Sequence, residues 1–272
     1  MTVKSKVKKW IIELGLLLNL DIRIGKKTPI QELTKLLRDL RPVKTNLELI
    51  RMGSIKDGGY LIVDDLENID ALISPGVGNK QDFDLDCAKL GMNVYMADNS
   101  VEGPIINHEK FNFIKKHLNT IDDEHNITME TWLHDIELNH GNDLILQMDI
   151  EGGEYDIICN IKTETLNKFR IIIIEFHQLD MLWGNNYYRR IKKAFDRILK
   201  SHYIVHMHPN NCCKAYKCGS IEIPPVMEMT FVRKERAITY GYVEKYPHPL
   251  DVDCTADETI VLPKCFYTEI VD

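Results

Sequence analysis

Three stretches of this chain each break from an apolar run into carboxylates or imidazoles. The first is Leu144–Ile158, LILQMDIEGGEYDII, where the run to Met148 gives way to Asp149, Glu151, Gly152, Gly153 and Glu154. The second is Ile171–His177, four isoleucines followed by Glu175, Phe176 and His177. The third carries His206 and His208 into Pro209, Asn210 and Asn211. In an α/β protein, ligands bind just outside the carboxyl ends of parallel strands. Polar residues ending three strands would therefore converge on one sheet edge. Glu175 and His177 are two apart and share a face if the strand continues, as do His206 and His208. Oxygen and imidazole ligands together suit a divalent ion such as Mg, Mn or Zn. Such an ion could lower the pKa of a bound substrate hydroxyl. Without it, His177 or a strand-end His is the candidate general base, its ordinary pKa lying near ~6.5. A solvated acidic turn and hydrogen-bonded core histidines would explain each stretch alone; three together favour a site.

A second constellation lies upstream. Ala71–Ser74 reads as a strand, followed by Pro75-Gly76-Val77-Gly78, a helix through Leu90, a strand Asn93–Ala97, and Asp98-Asn99-Ser100. Strand, glycine turn, helix, strand and acid in that order make a nucleotide-binding half. Gly76 and Asp98 are 22 residues apart, against an expected ~20 for an acid that accepts from ribose hydroxyls. The third glycine of the dinucleotide fingerprint is missing. That favours a nucleoside ligand without a pyrophosphate and disfavours an NAD-dependent oxidoreductase. Further upstream, Lys56-Asp57-Gly58-Gly59 sits between two apolar runs within Leu49–Asp65 and predicts a β-hairpin. A hairpin tip accounts for the glycines without giving Arg51, Asp57 or Tyr60 a task.

The elements that must position these groups alternate between strand and helix, which predicts one α/β domain. At 272 residues with 44% hydrophobic content, the chain can bury a sizeable core. A net charge of −7 argues against non-specific nucleic-acid binding, which needs a cationic surface. Helices are expected over residues 1–40, with Thr28-Pro29 as a start signal, and over 128–138, 156–166 and 186–201. Lys110–Thr120 reads as surface helix and strand, and Glu228–Val232 as the last strand. Lys4, Lys6, Lys8 and Lys9 before Trp10–Leu20 look like the start of a signal peptide. Glu13 interrupts that run, and it is too short to span a bilayer. A helix packed on the domain is expected, with peripheral membrane contact as the alternative. Seven cysteines at irregular spacing read as reduced thiols, hence a cytoplasmic protein.

The motifs RMGSIKDGGY (51–60), SPGVGNKQDFD (74–84), VYMADNS (94–100), MDIEGGEYD (148–156), IIEFH (173–177), HMHPNN (206–211) and MEMTFVRK (227–234) run in a familiar order. Over about residues 49–235 the chain resembles FkbM-type S-adenosylmethionine-dependent methyltransferases. The resemblance implies a Rossmann-like class I methyltransferase fold, with a mostly parallel central sheet and helices on both faces. Residues 1–45 would form an N-terminal helical extension, 46–235 the catalytic core and 236–272 a C-terminal wrapping extension. It further implies that Gly76 and Gly78 lie against the methionine part of S-adenosylmethionine, that Asp98 holds the ribose, and that Asp57, Gly58 and Gly59 close the pocket near the sulfonium, with Asp82 and Asn99 in the same cofactor-binding set. Asp149 and Glu175 are similar in placement to the magnesium ligands of catechol-type O-methyltransferases. The expected metal set is Asp149, Glu175 and His206, holding Mg or Mn. Asp149 and His177 are expected to be catalytic, and Glu151, His208 and Asn210 to meet substrate. Pro209 departs from the family's usual glycine.

The DGGY and His-x-His variant is similar to those associated with surface polysaccharides. The expectation is a sugar O-methyltransferase acting on a nucleotide-linked sugar or a glycan, with no membrane span, and with a homo-oligomer left open. The rivals are O-methylation of a non-sugar natural product and a non-catalytic S-adenosylmethionine- or nucleotide-binding partner subunit.

Overall fold

The computed structural model describes residues 7–10, 14, 25–136, 138 and 143–268. Most of the predicted first helix, including Glu13 and most of the apolar run, lies outside them. The helices are α1 (Ile30–Asp39), α2 (Asp82–Lys89), α3 (Met129–Asp135), α4 (Glu154–Asn160), α5 (Thr163–Leu166) and α6 (Asn185–Ser201). The strands are β1 (Val43–Thr45), β2 (Leu49–Gly53), β3 (Gly59–Val63), β4 (Ile69–Pro75), β5 (Asn93–Ala97), β6 (Phe111–Ile114), β7 (His117–Leu118), β8 (Asn126–Ile127), β9 (Asp143–Met148), β10 (Phe169–Phe176), β11 (His202–Pro209), β12 (Tyr216–Cys218), β13 (Ile221–Ile223), β14 (Met227–Arg233) and β15 (Thr239–Tyr242).

Seven strands form the central sheet, in the order β11-β14-β10-β9-β4-β5-β6. The pairs β10–β9, β4–β9, β4–β5 and β5–β6 are parallel. From β4 the chain builds β5 and β6 outward, then crosses back to lay β9 on the other side of β4. The direction of winding therefore reverses between β4 and β9, which is where an open α/β sheet binds its ligands. The fold is the predicted Rossmann-like α/β architecture. β14 runs antiparallel to both β10 and β11, so β11 points the same way as β10.

Burial explains the strands. Every residue of β10 is buried, as expected of a β-branched run covered on both faces. Ile172, Ile174 and Phe176 enter one apolar cluster and Ile171 and Ile173 the other. Glu175 continues the second row. Helix α6 covers the first face through Tyr188, Ile191, Ala194, Phe195 and Ile198, at the three-and-four spacing of an amphipathic helix. The predicted hairpin is present as β2–β3, paired from Leu49↔Val63 to Gly53↔Gly59. It lies on the second face, where the Thr230 hydroxyl donates to the Leu61 carbonyl.

Two expectations need correction. The stretch 110–120 holds two short strands and no helix, because Phe111 and Phe113 alternate at period two and pair with Val94 and Met96. The helix expected over 156–166 is two helices, α4 and α5, divided at Ile161. The tail pairs β15 with β1 and then returns over the end of β11. No helix among the described residues is long and apolar enough to cross a membrane.

Gly76 closes the junction of β4 and β9. Its φ is +86°, and an added Cβ would collide with the Asp149 carbonyl oxygen. Gly78, at φ +49°, has open space around it. Gly76→Ala is therefore expected to cost at least about 3 kcal/mol of stability. Gly78→Ala pays only the left-handed backbone penalty of about 1 kcal/mol. Urea unfolding of the two variants measures the difference; equal losses would contradict a close approach at Gly76.

Candidate functional site

The loop after β9 is folded around one carboxylate. Glu154 exposes 0% of its surface, and its Oε1 accepts from the backbone N–H groups of Ile150 (3.3 Å) and Gly152 (2.9 Å). These bonds hold Glu151 at φ +58° and Gly152 at φ +110°. A non-glycine residue in the left-handed region typically costs ~1–3 kcal/mol, and such strain gathers at functional sites. The same Oε1 lies 3.1 Å from His177 Nδ1. Nδ1–H is thereby committed to Glu154, and Nε2 turns toward Glu151 Oε2 (3.3 Å), Glu175 Oε1 (3.7 Å) and Asp149 Oδ1 (3.8 Å). Asp149 Oδ1 is buried and has no hydrogen-bond partner.

This crowding shifts all three titrating groups upward. Burial raises the Asp149 carboxyl to about 6; His177 opposes the shift, while Glu151 and Glu154 add to it. Burial and the Asp149 charge push Glu175 to about 7, against His177 and the Asn210 hydrogen bond. Burial alone would lower His177, but its hydrogen bond to Glu154 and the surrounding carboxylates outweigh that and bring it to about 9. At neutral pH His177 is an imidazolium and Asp149 is largely ionised.

Two clefts meet at Asp149. The larger, 410 Å³, runs past Ala97, Asp98, Ser100, Asn119 and Glu151. The smaller, 250 Å³, is lined by Asp57, Gly58, Gly78, Lys80, Asp84 and Gln147, among others. Gly76 and Asp149 belong to both. Asp98 Oδ2 accepts from Gly78 N (3.2 Å). Its Oδ1 accepts from Ser100 N (2.8 Å) and Oγ (2.7 Å). Burial would raise this carboxyl, but those hydrogen bonds outweigh it and hold it below its ordinary value. Beneath the clefts, Ser74 Oγ donates to Gln147 Oε1 (3.0 Å) and Gln147 Nε2 to Tyr60 (3.2 Å).

The predicted residues divide by position. Asp57, Gly58, Gly76, Gly78, Asp98, Asp149 and Glu151 line the clefts. Asp57 is ion-paired with Lys80. Gly59 and Asn99 line neither cleft; Gly59 instead admits the Ser54 carbonyl that closes the hairpin. Asp82 is exposed, while Asp84 is buried in the smaller cleft. Two residues along a helix is about half a turn, so these two carboxylates face opposite ways. Asp84 Oδ1 has no partner, and burial is the main cause that raises the carboxyl to about 6.

The predicted metal set is not assembled. His206 Nε2 is bonded to Asp251 Oδ1 at 2.8 Å. The register explains why: Glu175, Glu228 and His208 sit level across β10, β14 and β11, whereas His206 is level with Ile173. His206 is thus one pleat deeper than Glu175 and two strands away, about 10 Å. Asp149, Glu151 and His177 instead present ligand atoms all within 4.8 Å of one another. Glu175 accepts from Asn210 Nδ2 at 3.1 Å, which gives Asn210 a supporting task beside its predicted contact with substrate. His208 Nδ1 lies 3.6 Å from Asp251 Oδ2.

Sequence reasoning gave no role to Glu154, Asp84, Glu228 or Asp251. Glu154 had a signal, an acid just after Gly-Gly at a helix start. Glu228 had one too, a lone acid in the apolar run MEMTF; it is half-buried, and its pKa is raised, first by burial and then by the Glu175 charge, against Arg51. Asp251 had none, because its partners lie more than forty residues away.

Residues 67–201 match the methyltransferase FkbM domain family. No curated protein matches the chain. Among solved structures, a Clostridium thermocellum protein named as a candidate rRNA-methylase is similar at 10% identity. That match covers 77% of this chain and 98% of that one, with a TM-score of 0.35, too distant to carry an argument.

Asp149, Glu175 and His177 all bind protons more tightly folded than unfolded. Their stabilisation is complete below the unfolded carboxylate range near ~4. It is lost as pH rises through about 6, 7 and 9 in turn. Metal-free protein should therefore lose stability steadily from pH 5 to pH 9. Glu175→Gln should remove the part of that slope that runs from about 4.5 to about 7. Urea midpoints across the range test this; a midpoint that rises with pH would refute the crowded-carboxylate account.

Proposed function

The chain carries a methyltransferase FkbM domain over residues 67–201, and from that premise we propose that it transfers a methyl group from S-adenosylmethionine to a sugar hydroxyl in surface-polysaccharide synthesis. The observation that carries this reading is the half-buried Asp149 carboxylate, whose buried Oδ1 has no hydrogen-bond partner and which is shared by both clefts. The donor set suits the cofactor. Asp98 would accept from ribose hydroxyls in the larger cleft. Gly76 and Gly78 leave the backbone open to close approach. The unpartnered Asp84 Oδ1 suits the cofactor's ammonium group in the smaller cleft. S-adenosylmethionine, when bound, supplies an electrophilic methyl on a sulfonium.

The chain's own residues then have three tasks. The strand ends must bring the acceptor hydroxyl in line with the methyl at about 3–3.5 Å. Asp149 would take the proton of the acceptor hydroxyl. A carboxyl raised to about 6 is close to the operating pH that suits a general base. His177, held by Glu154, keeps a positive charge beside that carboxylate and fixes its place. This assigns the base to Asp149 and makes His177 a positioning residue. The close trio Asp149, Glu151 and His177 favours a second version, in which these three hold Mg or Mn; such an ion would supply Lewis acidity toward the hydroxyl.

Calorimetric titration of metal-stripped protein with S-adenosylhomocysteine is expected to show binding in the micromolar range, on the order of −8 kcal/mol. Asp98→Ala should weaken it by about tenfold or more, the loss of charge-assisted hydrogen bonds. Asp149→Asn should keep that binding and lose transfer by about 10²–10⁴. Repeating the titration with Mn separates the two versions, since only the metal-bound one predicts Mn binding that Asp149→Asn removes. Absence of S-adenosylhomocysteine binding under every condition would end this reading.

A further inference from the structure

A third cavity, of 150 Å³, opens beside the end of β11 and is roofed by the tail. At liquid density it has room for about five waters, which is the scale of a small ring and not of a lone ion. His208, Tyr246, Asp251, Asp253, Thr259 and Leu262 line it. Three of these carry a buried polar atom with no hydrogen-bond partner: His208 Nε2, Tyr246 Oη and Asp253 Oδ1. His208 and Tyr246 are more than nine-tenths buried, exposing 6% and 9%. Buried polar atoms are nearly always bonded, so three orphans around one cavity call for a ligand with several hydroxyl-type groups.

The rest of the lining narrows the class. Asp251 Oδ1 and Oδ2 are occupied by His206 Nε2 and by the His248 N–H, both at 2.8 Å. His208 Nδ1 faces the same carboxylate at 3.6 Å, so Nε2 is its outward nitrogen. Asp253 Oδ2 accepts from Thr259, leaving Oδ1 for a ligand donor. Two carboxylates at one cavity repel a phosphate. Tyr246 and Leu262 supply an apolar wall, which suits the C–H face of a saccharide ring.

The cavity lies on the same sheet edge as the transfer site. His208 is level with Glu228 and Glu175 in the register, two strand spacings or about 10 Å from Glu175. Asn210, one residue past β11, bonds Glu175 directly. Resting on the sugar reading above, we propose that this cavity is a second saccharide subsite. The acceptor is then a glycan, one unit held against Tyr246 while a unit at least two further along presents a hydroxyl to Asp149, three strand spacings or about 14 Å from His208. A nucleotide-linked monosaccharide would have to place its diphosphate near Asp251 and Asp253, so it is disfavoured.

The test is saturation-transfer NMR on the full-length protein, using maltose, cellobiose, lactose, methyl glucoside and glucose 1-phosphate as probes. Tyr246→Phe removes only an unpartnered hydroxyl, so the fold is kept. Asp253→Asn keeps the side-chain shape and an oxygen acceptor for Thr259. At least one neutral disaccharide should bind, about fivefold more weakly in each variant, the loss of one hydrogen bond. Glucose 1-phosphate should not compete. Binding by no neutral sugar, equal binding in wild type and both variants, or preference for glucose 1-phosphate overturns the subsite. S-adenosylhomocysteine calorimetry on the same samples should be unchanged by either variant. Sugar binding without S-adenosylhomocysteine binding would overturn the methyltransferase chemistry and leave the subsite supported. The reverse result would overturn the subsite alone.

Discussion

The site depends on one backbone contact, that of Gly76 with the Asp149 carbonyl. Strands β4 and β9 are neighbours in the sheet, yet the chain builds four more strands, two of them in that sheet, and two helices between them. Their carboxyl ends must diverge enough to leave a crevice and still stay hydrogen-bonded, as Asp149 N does to the Pro75 carbonyl at 3.3 Å. Only a residue without Cβ lets the first loop turn over the second at that point. The consequence is that Gly76 and Asp149 line both clefts, so a ligand crossing from one to the other passes directly over the carboxylate. The reversal in strand order creates the crevice, and the glycine gives it a floor that is backbone on one side and acid on the other.

The second constraint is electrostatic. Asp149, Glu151, Glu154 and Glu175 crowd into a small volume with one compensating cation, His177. Burying several carboxylates together is costly unless they are neutralised or hydrogen-bonded. Glu154 escapes the cost by accepting two backbone N–H groups and the imidazole. Asp149 and Glu175 do not escape it, and their raised pKa values record that. A site built this way is stabilised by a cationic ligand, and both a sulfonium and a divalent metal ion are of that kind. The same carboxylate thus folds the loop, orients the His177 ring through Nδ1 and leaves its neighbours short of positive charge.

The strands and the glycine turn were legible in the sequence because they rest on local rules. A run of four isoleucines reads as a doubly covered strand, and Gly-x-Gly with an acid 22 residues on reads as a nucleoside half. The side chains were less legible where a choice depended on facing direction or on distant chain. Asp82 and Asp84 look equivalent in a string of letters, and only the helical phase, unknown until the helix start is known, separates them. His206 and His208 share a face, as expected, but their partner Asp251 is brought in by the tail, whose path no local pattern dictates. The expected metal set failed for a register reason: strand ends that converge on one edge need not be level with one another.

Strand β14 explains why the edge extends as far as it does. The chain crosses from β10 through α6 to β11, one strand position beyond its neighbour, and β14 later inserts antiparallel into the gap between them. The end of β11 therefore joins the ends of β9 and β10 on the same edge, displaced sideways by two strands. Glu228, in the middle strand, is half-buried and sits level with Glu175 on one side and His208 on the other. It spaces two polar regions apart, one at the crossover of β4 and β9 and one under the tail. A cofactor occupies a crevice at the point where the winding reverses, so the acceptor must approach from the lateral side. The tail, fixed by Asp251 to His206, walls that side with Tyr246. On the proposed reading, restricting entry to the lateral side favours an extended acceptor over a compact one, and that restriction comes from the order of the strands and the path of the tail together.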